Sequence, residues 1–257
     1  MTSKVEIARN WLPRYTGTDS RDFADWILLT NFHGYVHRFA DRFGCDIQGQ
    51  GGPMTSATCK EGLSIINFGI GAPNAATIMD LLVAANPRGV LFLGKVGGLC
   101  MPLKVGDLIM PRVAIRAEGA SDAYIDPSVP AVPTFKLQKY FSNAVLAGGH
   151  AYTTGMIYTT SRRVWEWDHD FRDKLESYGA TAIDMETATI YTVGHVNRIP
   201  RAALHLVSDM PLMQGGIKTA ETDLQVTNEF ANKHLEVAID AMLAIDVDGE
   251  EIIPYLD

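Results

Sequence analysis

Two short stretches hold carboxylates where chemistry could be done. Asp184 and Glu186 bracket Met185 at the junction between a strand-like TAIDM (181–185) and a helix-like ETATIY (186–191). A carboxylate at a helix start is favoured by the helix dipole, so Glu186 reads equally well as a cap. Asp209 ends the apolar run AALHLVS (202–208) and is followed by Met210 and Pro211. The carboxyl ends of strands in an open α/β sheet are where ligands bind, so Asp209 is a candidate acid or base, with an ordinary turn aspartate as the alternative. Carboxylates at the ends of successive strands converge on one cleft, the arrangement that general acid chemistry with charge stabilisation needs.

Other signals are weaker. GIGAPN (69–74) follows a strand and opens a helix, as a dinucleotide fingerprint does, but Asn74 stands where the third glycine belongs. The next strand, VLFLG (90–94), also ends without the acidic residue that would hold a ribose, so a nicotinamide cofactor is not expected. GKVGG (94–98) lacks the spacing of a phosphate-binding P-loop and a following Ser or Thr. His33 and His37 are four apart, as zinc ligands on one helix face are, yet Gly34 replaces the glutamate of the zincin motif and no third ligand is evident. No metal and no organic cofactor is expected.

The elements that must position these residues read as an α/β alternation. SIINFG (64–69) is a strand, and Pro73 suits the first turn of the helix after it. Ile78, Leu81, Leu82 and Ala85 share one face of that helix, which stops near Asn86-Pro87. Strands are expected at 90–94, 107–110, 181–185 and 202–208, and helices at 135–147, 165–178, 187–196 and about 225–244. The helix 135–147 turns Leu137, Tyr140, Phe141, Ala144 and Val145 inward, and the last one Leu235, Ala238, Ile239 and Met242. Residues 112–134, rich in Gly, Ala, Ser and Pro, read as a long loop of the kind that often serves a ligand.

The 257 residues suit one large α/β domain, residues 1–257, better than two small ones. A net charge of −8 without a long Lys/Arg run argues against nucleic acid as a partner, while leaving room for a small anion held by a few local cations. The polar opening MTSKVEIARNW is no signal peptide, and no apolar run reaches the ~18 residues that span a bilayer, so neither membrane nor secretion is expected. Cys45, Cys59 and Cys100 form no CxxC pair and read as reduced thiols of a cytoplasmic protein.

At DMETATIY (184–191) and LVSD (206–209) the chain resembles the nucleoside phosphorylase/nucleosidase superfamily, and LFLGKVGGL (91–99) is similar to the strand and turn flooring its ribose site. Longer stretches resemble the AMP nucleosidases: LLTNFHGYV (28–36), INFGIGAPNAATIMDLL (66–82), AIRAEGASDAYIDPSVPA (114–131), IYTTSRRVWEWD (157–168) and VSDMPLMQGGIKT (207–219). The resemblance runs through nearly the whole chain in the family order. It implies a single α/β domain with a mixed, partly closed sheet flanked by helices, assembled as a homo-oligomer, a hexamer of dimers.

The resemblance also implies roles. Glu186 would hold the ribose hydroxyls, Met185 would pack on the sugar, and Asp209 would protonate the purine ring as the base leaves. Cleavage of an N-glycosidic bond passes through a cationic sugar, and adenine is a poor leaving group until protonated, which explains those residue types. A proton-donating aspartate needs its pKa raised above ~3.9, so burial or a second carboxylate is expected near Asp209. Gly94 and Ser208 would belong to the substrate-binding strands, and Trp165 or its neighbour Val164 would stack on the base. Phe92 stands where phosphorolytic relatives carry a phosphate-clamping arginine, which favours water as nucleophile. Lys95, Arg116, Arg162, Arg163 and Lys218 are candidates for a substrate 5′-phosphate. The expected function is hydrolysis of AMP to adenine and ribose 5-phosphate. Action on another purine nucleoside or nucleotide and a non-catalytic nucleotide binder are the alternatives. Many AMP nucleosidases carry an N-terminal regulatory domain; only about 25 residues precede the first strand here, so none is expected.

Overall fold

The apolar run 90–94 extends through the glycine-rich turn to make β4 (Gly89–Gly98), the hub of the sheet. The computed structural model describes residues 2–245. β4 pairs in parallel with β1 (Trp26–Thr30) along one edge. Along the other it pairs in parallel with β8 (Arg201–Asp209), and its last residues also meet β7 (Ala182–Asp184) antiparallel. β3 (Leu63–Asn67) and β2 (Thr55–Thr58) extend the sheet beyond β1. β7 continues through β6 (Thr153–Thr160) and β5 (Leu108–Ala117) back to β8. One side of the mixed sheet thus closes on itself through β4–β7–β6–β5–β8, and the other stays open.

Alternation along the strands builds a core on each face. Ile27, Leu29, Val90 and Phe92 pack with α1 (Lys4–Thr16), α3 (Ala72–Leu81) and α6 (Thr187–Val196). Leu28, Leu91 and Leu93 pack with α2 (His33–Phe43), α4 (Phe135–Ala147) and α8 (Ala231–Leu243). Phe92 is fully buried between Phe68 and His205.

Helices α4 and α6 occupy the spans read from the sequence, and other elements differ for identifiable reasons. β5 runs on to Ala117, so 112–117 is strand; it absorbs Pro111 at a register shift, where a missing N–H does no harm. α5 (His169–Ser177) starts four residues later than its pattern, because the Asp168 side chain accepts the Phe171 N–H and caps it there. The last helical stretch is two helices, α7 (Ala220–Glu229) and α8, broken at Phe230. α1 rests on a capping box between Ser3 and Glu6 that the reading of the sequence passed over. Cys59 is buried, Cys45 and Cys100 are half-buried, and all three are free thiols. Among the described residues, no helix is long and apolar enough to cross a membrane.

Candidate active site

The carboxyl ends of three strands meet because Gly97, near the end of β4, is paired with Ile183 of β7 on one side and Asp209 of β8 on the other. A Cβ at Gly97 would come within 3.1 Å of the Pro211 ring and 3.2 Å of Ile183, tighter than ordinary contact, so glycine suits this close approach. A cleft of about 260 Å³ opens there, near the lower end of the ~300–1,000 Å³ usual for small-ligand sites. Met185, Glu186, Ser208, Asp209, Lys95 and Trp165 all line it.

Asp184, not Glu186, caps α6. Its Oδ2 accepts the backbone N–H groups of Glu186 and Thr187, at 3.2 and 2.7 Å, and the Thr187 hydroxyl. Its Oδ1 accepts the Thr159 hydroxyl at 2.7 Å. Burial pushes the Asp184 pKa up against these hydrogen bonds. Behind it, the Gly94 N–H donates to His205 Nδ1 (3.3 Å), so Nε2 carries the His205 proton and donates to Thr187 Oγ1 at 2.8 Å.

With the cap supplied by Asp184, the Glu186 side chain is free to enter the cleft, and it makes no capping bond of its own. Its Oε1 accepts the Gly71 N–H at 2.7 Å. Gly71 has φ +99°, a conformation that disfavours any side chain, so the turn that imitated a dinucleotide fingerprint instead presents an amide to Glu186. Burial first, and then the neighbouring Asp184 charge, raise the Glu186 pKa to about 8, with Gly71 and Asn31 hydrogen bonds opposing.

Asp209 is held by its own strand and by a cation. The Ser208 hydroxyl donates to Oδ1 at 2.7 Å and lies 3.3 Å from the Val96 carbonyl oxygen. Lys218 Nζ stands 3.4 Å from the same Oδ1. Of the two surroundings expected for Asp209, burial or a second carboxylate, the structure gives burial, with the side chain 12% exposed, and it places the Lys218 ammonium beside the group where a carboxylate was the alternative. Lys218 also faces Asp223 Oδ1 on α7 at 3.7 Å, and Lys95 Nζ approaches that oxygen at 3.4 Å. Lys95 further donates to Thr227 Oγ1 at 2.8 Å and sits over the Phe32 ring. Burial lowers the Lys95 pKa, partly offset by Asp223.

The apolar wall comes from Trp165, Ile183, Met185 and Pro211. Trp165 is buried edge-on against Phe171. Arg162 and Arg163 reach the rim, with Arg162 paired to Asp168 at 2.8 Å and Arg163 facing Glu166 at 3.7 Å.

Three expected site residues lie elsewhere. Val164 is 70% exposed and turned from the cleft that Trp165 lines. Gly94 is buried within β4, where a Cβ would meet the Phe92 ring at 2.9 Å and His205 at 3.0 Å, so it serves packing. Arg116 braces a loop: its guanidinium donates to the carbonyls of Ile125, Asp126 and Val129, to Ser121 Oγ and to the Asp122 carboxylate. Conversely, Asn31, Phe32, Ile70 and Asp223 line the cleft without having been singled out. Asn31 directly follows the last residue of β1, so the strand-end rule applied to the first strand would have found it. His33 and His37 share a hydrogen bond, Nε2 to Nε2 at 2.8 Å, and among the described residues no group of three His, Cys, Asp or Glu is placed to hold a metal.

The phosphorylase superfamily profile matches residues 27–244. The crystal structure of an AMP nucleosidase from Bacteroides thetaiotaomicron superposes with a TM-score of 0.83 at 45% identity, over 93% of this chain and 96% of that one. The AMP nucleosidase of Escherichia coli (strain K12) is 27% identical over 295 aligned residues, 97% of this chain and 60% of that protein, so the chain spans less than two thirds of that relative's length. A uridine phosphorylase structure from Vibrio fischeri, at 20% identity and a TM-score of 0.75, shares the fold. With its mixed, partly closed sheet and strand-end cleft, the chain belongs to the phosphorylase superfamily, and AMP nucleosidases are among its homologues.

Proposed function

We propose that this protein is an N-glycoside hydrolase that cleaves AMP to adenine and ribose 5-phosphate. The observation that carries the reading is the convergence, in one cleft, of a buried Glu186, the strand-end Asp209 and the cations Lys95 and Lys218. Asp209 donates a proton to the purine ring as the C1′–N9 bond breaks and its electron pair passes to the base. Ser208 and Lys218 fix the carboxyl group. Glu186 accepts hydrogen bonds from the ribose hydroxyls, which strengthen as the sugar becomes cationic. Met185 packs on the sugar and Trp165 on the base. Water then adds to C1′ and gives up a proton, which restores the acid. Lys95 and Lys218 attract the 5′-phosphate, with Arg162 and Arg163 at the rim. The similarity to the AMP nucleosidase of Bacteroides thetaiotaomicron over nearly the full length of both chains supports the substrate.

We assign the work to a cytoplasmic homo-oligomer of the hexamer-of-dimers type. Three free thiols suit a reducing compartment, and the exposed apolar residues Ile70, Val164 and Trp167 suit an interface. Sedimentation of the purified protein checks the assembly. The deciding assay for the reaction is incubation with AMP in phosphate-free buffer, expected to yield adenine and free ribose 5-phosphate. A strict requirement for added phosphate, with a second phosphate at C1 of the product, overturns the hydrolase in favour of a phosphorylase.

A further inference from the structure

Among the anions of the cleft, Asp223 stands apart. It sits in the first turn of α7, on an element that supplies neither carboxylate of the proposed chemistry, and its side chain is 46% exposed. Yet one of its oxygens, Oδ1, lies between two ammonium groups from different elements, Lys95 of β4 at 3.4 Å and Lys218 of the 210–219 loop at 3.7 Å. A good charge-assisted bond is ~2.7–2.9 Å long, so both contacts are loose. Lys95 has a tight partner already in the Thr227 hydroxyl at 2.8 Å, and Lys218 has a second carboxylate in Asp209 at 3.4 Å. Without Asp223, Lys218 keeps Asp209 and Lys95 keeps the Thr227 hydroxyl, although Asp223 is the one carboxylate that Lys95 meets among the described residues.

An oxygen held between two converging ammonium groups marks where an anionic ligand oxygen is stabilised. Asp223 sets one carboxylate against the two ammonium groups, and removing it leaves the position one unit of charge more positive. A phosphate monoester brings more negative charge than a carboxylate and can meet both lysines at once.

We infer that Asp223 is a resident anion occupying the 5′-phosphate position, and that it sets a threshold for anions there, because a phosphate must displace it to reach Lys95 and Lys218. This rests on the proposed AMP reading, and it adds that the phosphate must displace a carboxylate of the protein itself. A weak anion makes that exchange poorly. Asp223 therefore weakens binding of every anion at this position. It restricts occupancy to ligands whose remaining contacts with the cleft support the exchange.

The test is Asp223→Asn, with Asp223→Ser as a second neutral variant; Thr219 still caps α7 in both. Binding of inorganic phosphate is measured by titration calorimetry, which needs no turnover, and KM for AMP is measured separately. Removing one partly exposed like charge should tighten inorganic phosphate by about threefold to tenfold and lower the KM for AMP by a similar factor. The kcat/KM ratio of AMP to adenosine should rise with it. In a Lys95→Met background the gain should shrink or vanish, because the contested cation is gone. Phosphate affinity that is unchanged or weaker in both neutral variants overturns the inference. An enzyme that binds phosphate as described but leaves AMP intact overturns the hydrolase reading while leaving the role of Asp223 standing.

Discussion

At the scale of single residues, the cleft separates its carboxylates by environment. Asp209 has a hydroxyl and an ammonium on the same oxygen, whereas Glu186 is buried with only amide donors and a neighbouring carboxylate. Asp209→Asn keeps the shape and loses the transferable proton, so kcat for AMP should fall by about 10²–10⁴-fold with a modest change in KM. Steady-state kinetics check this, and retention of a third of the wild-type kcat would remove Asp209 from the acid role. Glu186 carries a different expectation. With a pKa of about 8 it is mostly protonated at pH 7 in the empty cleft, and ribose hydroxyls favour its ionised form. Binding of a ribose-bearing ligand should therefore release a proton and tighten as pH rises toward 8. Calorimetry in buffers of different ionisation enthalpy reads that proton, which should be missing for adenine alone and for Glu186→Gln.

At the scale of elements, periodicity located most of the secondary structure, and the local chemistry at element ends explains the exceptions. α4 and α6 were legible because their apolar faces and boundaries agree, whereas α5 was misplaced because Asp168 caps it four residues inside its pattern. The strand-end rule located Asp209 and Glu186, but the same rule was not carried to Asn31 at the end of β1. The role of Asp184 as the cap of α6 was illegible, since sequence cannot tell which of two carboxylates two residues apart accepts the helix amides. Arg116 misled for a related reason: a cation inside a family-like stretch looks the same whether it meets a phosphate or a ring of carbonyls. With its side chain 3% exposed, Arg116 ties β5 to the segment through Val129. Arg116→Ala leaves three part-buried acceptors without their donor, so it should cost about 1–3 kcal/mol in urea unfolding. Arg162→Ala, at the more exposed rim, should cost less than about 1 kcal/mol, and equal losses would mean that the brace matters little to stability.

At the scale of the whole molecule, the partly closed sheet forces strand ends together and buries two interacting carboxylates beside α6, a cost borne by the entire fold. Glu186 binds its proton more tightly in the folded chain, at about 8, than its ordinary value of 4.5 allows in the unfolded one. Between those values the native state holds more protons than the unfolded state, so stability falls as pH rises through that window. Below it both states are protonated and the penalty is absent; above it both are ionised and the penalty is complete. Glu186→Gln removes the charge while keeping an acceptor for the Gly71 N–H, so it should flatten that limb. At pH 8.5–9 the variant should unfold at a higher temperature than the wild type, by about 2 °C for each kcal/mol recovered in a chain of this size. Near pH 4–5 the two should nearly coincide, leaving only the small difference between a protonated acid and an amide. The same substitution is expected to impair catalysis, so a variant that is more stable and less active at high pH is the specific outcome. Thermal melts across pH 4–9 decide it. A constant offset between the two proteins at every pH would show that the Glu186 proton is not what links this site to the stability of the fold.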